Sequence, residues 1–128
     1  MAGISLSEAI AHEGLTEDIL KQEISQKDEL GLAKFCNPWE RVVLELGLEK
    51  RDVSAIREDQ RTFEMRQIEA MQRWKQRYSF KATYLVFIKA LFSCEFYDKT
   101  QEALKFIAST SKYSLFYDST RKSTGSGT

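Results

Sequence analysis

The sequence has few residues that interrupt or cross-link a chain: one proline, six glycines and two cysteines among 128 residues. So little proline and glycine excludes a collagen-like chain and long flexible linkers. Two cysteines provide no disulfide framework and favour a reducing compartment. No apolar run approaches the roughly 20 residues of a membrane-spanning helix. Residues 1–10 lack a basic leader and a long apolar core, so we expect no signal peptide.

Groups that perform catalysis are also scarce. The one histidine, His12, is far in sequence from Cys36 and Cys94, so no Cys–His nucleophile or zinc site is indicated. A glycine-rich phosphate loop is absent from the sequence. Both cysteines follow apolar segments and are predicted to be small buried side chains. We therefore expect no enzyme activity, no cofactor, no metal and no small-molecule substrate.

The remaining composition is that of a globular domain. Hydrophobic residues make up 42% of the chain, charged residues 30% and aromatic residues 12%. A chain of this length can bury one hydrophobic core without disulfides or a bound metal, so we expect a single domain with short tails.

The net charge is zero, but the two signs are unevenly distributed. Residues 1–59 carry 13 acidic and 7 basic side chains, whereas residues 60–128 carry 6 acidic and 12 basic side chains. A nucleic-acid-binding domain usually has an overall basic excess, which this chain lacks. The two halves complement each other either within one molecule or between copies.

Apolar residues recur at helical spacing through most of the chain, and no segment alternates as a strand would. Ser5 and Glu8 have the spacing of a capping box, and Thr16, Ser79 and Thr100 are candidate caps. The predicted helices are 5–11, 16–36 in two pieces, 39–46, 49–58, 62–77, 81–94 and 100–107.

The helix pattern also assigns side chains to the core. Trp39 and Trp74 are predicted to be buried, and Gly47 is predicted to turn the chain in a left-handed conformation. In the helix 81–94 the inward stripe is Tyr84, Ile88, Leu91 and Glu95.

The ends of the chain differ from its middle. We expect an N-terminal extension at 1–15, a helical domain at 16–108 and a flexible tail at 109–128. Ten of the last twenty residues are serine or threonine, and the tail's aromatic segment Tyr113–Phe116 is expected to be disordered.

Four segments resemble the death-domain family in the order and spacing of that family. Residues 39–48 resemble its tryptophan-to-Leu-Gly-Leu second helix, and residues 52–56 its short third helix. Residues 71–74 are similar to its fourth-helix signature, and residues 82–91 to its fifth helix. The resemblance covers about 16–107 and implies an all-α, six-helix antiparallel bundle of the death-fold type.

The same resemblance implies a non-catalytic module. Its expected partners are other death-domain proteins, including further copies of itself, in a cytoplasmic signalling complex for cell death or innate defence. It would act as an adaptor or as a module of a longer protein. The alternative is a helical nucleic-acid-binding domain that uses the basic face of the fourth helix.

Two charged surfaces are candidate interfaces, because the family joins its helix-four corner to the helix-five-to-six region of a neighbour. The basic residues are Arg66, Arg73, Lys75, Arg77 and Lys81, and the acidic residues are Glu95, Asp98 and Glu102. Two apolar candidates, Leu44 and Val86, lie off the inward stripes. The plainer alternative is a solvated charged surface with two ordinary exposed apolar residues.

Overall fold

The computed structural model describes residues 5–111, and every regular element in that range is helical. The expectation of an all-α fold is confirmed. The expected tail from residue 112 onward, including Tyr113–Phe116, lies outside the described residues. The helices are α1 (Leu6–His12), α2 (Glu17–Leu20), α3 (Gln26–Ala33), α4 (Trp39–Glu45), α5 (Lys50–Asp59), α6 (Phe63–Tyr78), α7 (Tyr84–Ser93) and α8 (Tyr97–Ser111).

Short polar residues set where several helices begin. Ser5 and Glu8 form the expected capping box at α1, each side chain accepting a hydrogen bond from the other residue's backbone N–H. Thr83, not Ser79, caps α7, with its Oγ1 accepting from the N–H of Val86 at 3.2 Å. The prediction for Ser79 was wrong because that residue ends α6 and opens a 3₁₀ turn, Ser79–Lys81.

The last helix is longer than predicted, beginning at Tyr97 and not after a cap at Thr100. Thr100 is buried within the first turn, where its hydroxyl donates to the carbonyl of Phe96 at 2.8 Å. At the other end, the hydroxyls of Ser109 and Thr110 donate to the carbonyl of Phe106. The hydroxyl residues that indicated a tail from 109 therefore bond to the backbone as the helix continues.

The core lies between α6 and the helices packed around it, α3, α4 and α5. Trp39 and Trp74 are both 1% exposed, which confirms the predicted burial of the two tryptophans. The rings of Trp74 and Phe87 lie 6.2 Å apart, so α6 and α7 meet through aromatic side chains. Helices α3 to α8 thus form one bundle around large apolar side chains.

The first two helices attach to this bundle through named contacts. Ala9 and Ile10 of α1 are buried in the core. The side-chain amide of Gln101 on α8 donates to the carbonyl of Ala9 at 3.3 Å and to the carboxylate of Glu13 at 2.7 Å. After α2, the N–H of Ile24 donates to the carbonyl of Ala82, within an isolated antiparallel bridge.

One residue of the predicted inward stripe of α7 is not inside. Tyr84, Ile88 and Leu91 are buried as expected, but Glu95 is exposed. The prediction was wrong because α7 ends at Ser93, and Glu95 has a φ of 65° that turns the chain away from the helix. Between residues 5 and 111, no helix combines the length and hydropathy that crossing a membrane requires.

Candidate protein-interaction surfaces

The first candidate surface is the predicted basic one. Two of its residues belong to an ion-pair network between α5 and α6. The Arg77 guanidinium donates to both carboxylate oxygens of Asp52, at 2.8 and 2.9 Å. Arg73 donates to Glu69 at 2.7 Å and to Asp59 at 3.1 Å. Two of the five predicted basic interface residues, Arg73 and Arg77, are therefore held by carboxylates of their own molecule.

Hydrogen bonds favour the ionised form of two carboxylates of this network, Asp52 and Glu69. The bond from Arg77 is the main cause that lowers the pKa of Asp52, and the backbone N–H of Glu49 adds to it. Burial opposes ionisation of Glu69, but hydrogen bonds from Gln60 and Arg73 together lower its pKa. The network stays charged at neutral pH, so its positive charge is neutralised locally.

Two other predicted basic residues are also engaged. Arg66 donates to the carbonyls of Gln60 and Arg57, at 2.8 and 3.1 Å, and so satisfies the end of α5. Lys75 instead donates to the carbonyl of Ile24, just before α3, and lies 3.6 Å from Glu29 of α3. The structure does not bring the five basic candidates together as one open surface. The nucleic-acid alternative, which required such a face, loses its support.

The uneven charge of the two halves is partly cancelled by folding. Asp52, Asp59 and Glu29 come from the acidic half and pair with Arg77, Arg73 and Lys75 of the basic half. Pairing within one molecule therefore accounts for part of the asymmetry.

Of the five basic candidates, Lys81 lies at the turn after α6 and has no carboxylate partner between residues 5 and 111. We call Phe80 and Lys81 the basic turn. Lys81 is exposed and makes no ion pair in the part of the chain that the structure describes. Phe80 is 70% exposed, more than the other large hydrophobic side chains between residues 5 and 111. Sequence reasoning missed Phe80, although its place between Ser79 and Lys81, outside any apolar stripe, was a usable signal.

The second candidate surface follows α7. Glu95, Asp98 and Glu102 are all exposed, and we call them the acidic end. Across residues 5–111 none of the three forms an ion pair. The structure therefore leaves these three negative charges available to a partner.

Aromatic rings lie beside the acidic end. Phe92 and Tyr97 are partly buried and meet edge to face, with ring centroids 5.1 Å apart. The centroid of the Phe96 ring lies 5.1 Å from the Lys99 ammonium and 6.0 Å from the Arg41 guanidinium. Aromatic side chains therefore border the short segment between α7 and α8.

The two surfaces lie at opposite ends of one helix. The basic turn precedes Tyr84, the first residue of α7, and the acidic end begins just after Ser93, its last residue. Ten helical residues span about 15 Å. One molecule therefore presents opposite charge at two separated positions.

The remaining candidates are two apolar side chains and two thiols. Leu44 and Val86 are 41% and 39% exposed, and a role for them in an interface stays a prediction. Cys36 and Cys94 are buried, and burial raises the pKa of both thiols, which disfavours the reactive thiolate. In the range 5–111, no three histidine, cysteine or acidic side chains are grouped as a metal site would require.

A family model described as Death domain matches residues 31–107, which run from within α3 into α8. No curated protein and no solved structure matches the chain significantly.

Proposed function

The chain belongs to the death-domain family, whose members are non-catalytic protein-interaction modules in signalling, and on that premise we propose that it associates homotypically with other death-fold domains. The proposed setting is a cytoplasmic complex that signals in cell death or innate defence. In that complex the chain acts as an adaptor or as a module of a longer protein. Support comes from the family, whose members typically bind other death-fold domains.

One observation carries the choice of surface. The basic turn and the acidic end have opposite charge and lie at opposite ends of α7. Complementary charge favours the encounter of a basic turn with the acidic end of a neighbouring domain. Contacts of this head-to-tail kind repeat, so several weak ones act together.

The structure changes which residues are suitable for a test. Reversing Arg73 and Arg77 would leave the buried Asp52 carboxylate without its main partners, and loss of such a partner destabilises a fold. Lys81 is the better target, because it is exposed and makes no ion pair among residues 5–111.

We expect Lys81→Glu to weaken binding to a death-fold partner without changing the melting temperature. An exposed ion pair contributes about 0.2–1 kcal/mol, so one contact should weaken by up to about fivefold. Lys89→Glu, at an exposed lysine within α7, is the matched control and should bind as wild type does.

The measurement is a binding titration against a panel of death-fold domains over a salt series. Added salt should weaken the wild-type contact, because exposed charges are screened over about 8 Å at physiological ionic strength. Glu95→Lys with Asp98→Lys in a partner copy should restore part of the binding lost by Lys81→Glu. Equal binding by the Lys81 and Lys89 variants would rule out the basic turn.

A further inference from the structure

A partly exposed apolar patch lies where α3 packs against α8. Phe35 and Phe106 are both partly exposed, and their ring centroids are 6.0 Å apart. Gly31 lets the Phe106 ring approach α3, because a methyl group at residue 31 would collide with that ring. Leu30, next to Gly31 in the chain, is 60% exposed. We call Leu30, Phe35 and Phe106 the α3–α8 patch.

A lysine side chain joins the members of this patch. The Lys34 ammonium lies 5.2 Å from the centroid of the Phe35 ring and 5.4 Å from that of Phe106. Lys34 follows Leu30 by four residues, so the two side chains lie on the same side of α3. Lysine stems pack along apolar surface while the ammonium stays in water, so Lys34 connects Leu30 to the two rings.

The chain itself supplies apolar side chains close to this patch. Helix α8 ends at Ser111, five residues after Phe106, which is about 7.5 Å along the helix axis. Residues 112–128 follow, and their large apolar side chains are confined to 113–117. Five extended residues span about 17 Å, so a segment that leaves α8 at residue 111 can turn back and reach Phe106 with residue 116.

We propose that the segment Tyr113–Phe116 folds back onto the α3–α8 patch of its own chain, with Leu115 and Phe116 packed against Leu30 and the Phe106 ring. The composition of the segment by itself favours disorder, because it has few side chains to bury. An adjoining apolar patch changes that balance. A tethered segment meets its site at a local concentration in the millimolar range, so even a weak contact is populated.

Hydrogen exchange of single amides, followed by NMR in the full chain, tests this contact. The amides of Leu115 and Phe116 should exchange roughly tenfold or more slowly than in an unstructured peptide, because a docked state shields them. Leu30→Ser should remove this protection. Leu44→Ser is the matched control, since Leu44 is also an exposed leucine on a helix, and it should keep the protection.

Three results would overturn the proposal. Amides of Leu115 and Phe116 that exchange freely in the wild type would show that the segment does not dock. Protection that survives Leu30→Ser would show that the segment is ordered away from the patch, for instance as further turns of α8. Equal loss in the Leu30 and Leu44 variants would show that the effect is not specific to the patch.

The reciprocal experiment changes the segment and observes the patch, so it does not depend on how well the Leu30 variant folds. Leu115→Ser with Phe116→Ser should shift the methyl resonances of Leu30 in NMR spectra, because an aromatic ring no longer lies beside them. The methyl groups of Leu44 are the internal reference and should not shift. Leu30 resonances that stay in place would contradict the contact.

Dilution distinguishes the chain's own segment from that of a second copy. Protection of Leu115 and Phe116 should not change on dilution, because the proposed contact is intramolecular. Protection that falls on dilution would overturn the proposal in favour of exchange between copies. The α3–α8 patch includes neither the basic turn nor the acidic end, so its failure in these experiments would leave the proposed function standing.

Discussion

At the residue scale, Trp74 shows how much of the stability rests on single side chains. Trp74 is 1% exposed, and its ring contacts that of Phe87. We expect Trp74→Ala to reduce the free energy of unfolding by about 3–5 kcal/mol, because it leaves a large cavity between helices. Urea denaturation measures the loss. Phe63→Ala, at an exposed position on the same helix, should cost far less; similar costs would contradict this packing of α6.

A second prediction at this scale concerns Gly47. It has a φ of 107°, and its carbonyl accepts a hydrogen bond from the Tyr78 hydroxyl at 3.0 Å. A methyl group at this position would collide with that hydroxyl. Gly47→Ala should therefore cost the strain of a left-handed alanine, about 1–2 kcal/mol, plus the displacement of Tyr78.

Gly14 separates the two costs. It also has a positive φ, 76°, but a methyl group there would meet nothing within 4 Å. Gly14→Ala should show the backbone cost alone in the same urea denaturation. Equal destabilisation by the two variants would show that Tyr78 adds nothing at Gly47.

Single residues also show how far the sequence could predict the candidate site. Helical spacing was enough to place Trp39, Trp74 and Val86, because angular position around a helix determines burial. It could not place the partners of Arg73 and Arg77, since their carboxylates lie on a neighbouring helix. A helical pattern predicts the direction in which a side chain points, but not which residue of another helix it contacts.

At the element scale, the pairing of α5 with α6 makes stability depend on pH. Asp52 has a lowered pKa in the folded chain, mainly through its bond from Arg77, and a pKa near 3.9 when unfolded. On acidification the unfolded chain binds the proton first, so this contribution is complete above about pH 4–5 and is lost as the pH falls through the folded pKa.

We expect Asp52→Asn to be less stable than wild type at pH 7 and to lose less stability between pH 5 and 2. Melting temperatures across that range measure both effects. Asp18→Asn is the control, because the Asp18 side chain is 92% exposed and lies 3.6 Å from Lys21. It should keep the wild-type dependence. Parallel curves for Asp52→Asn and wild type would contradict the linkage.

Elements also show where sequence patterns fail. The bounds of α1, α4, α5 and α6 follow local signals, and the predicted bounds lie within about one residue of those in the structure. Helix α8 departs because Thr100, Ser109 and Thr110 bond to carbonyls one turn back or less, where they neither cap nor break the helix. A serine or threonine hydroxyl can either cap a helix or bond to a carbonyl within it, and the surrounding fold decides which of the two occurs.

At the scale of the whole molecule, the fold extends beyond the family match. That match begins at residue 31, yet α1 buries Ala9 and Ile10 in the core, and Gln101 of α8 donates hydrogen bonds to Ala9 and to Glu13, the residue that follows α1. The segment after α2 bonds to Ala82 and receives the ammonium of Lys75. Both connections join residues outside the match to residues inside it. We therefore expect the segment before residue 31 and the matched helices to unfold cooperatively.

Truncation tests this and the expected domain boundary at residue 16. A chain of residues 16–128 loses the burial of Ile10, about 1.5–3 kcal/mol, together with the contacts of Ala9 and Glu13. We expect a lower free energy of unfolding in urea, reproduced in part by Ile10→Ala in the full chain. Ser7→Ala, at an exposed position on α1, should leave stability unchanged. If residues 16–128 unfold at the same urea concentration as the whole chain, α1 is an extension that adds nothing to the domain. If they unfold earlier, the cooperative unit includes α1, because the side chains that complete its core come from both sides of the family boundary.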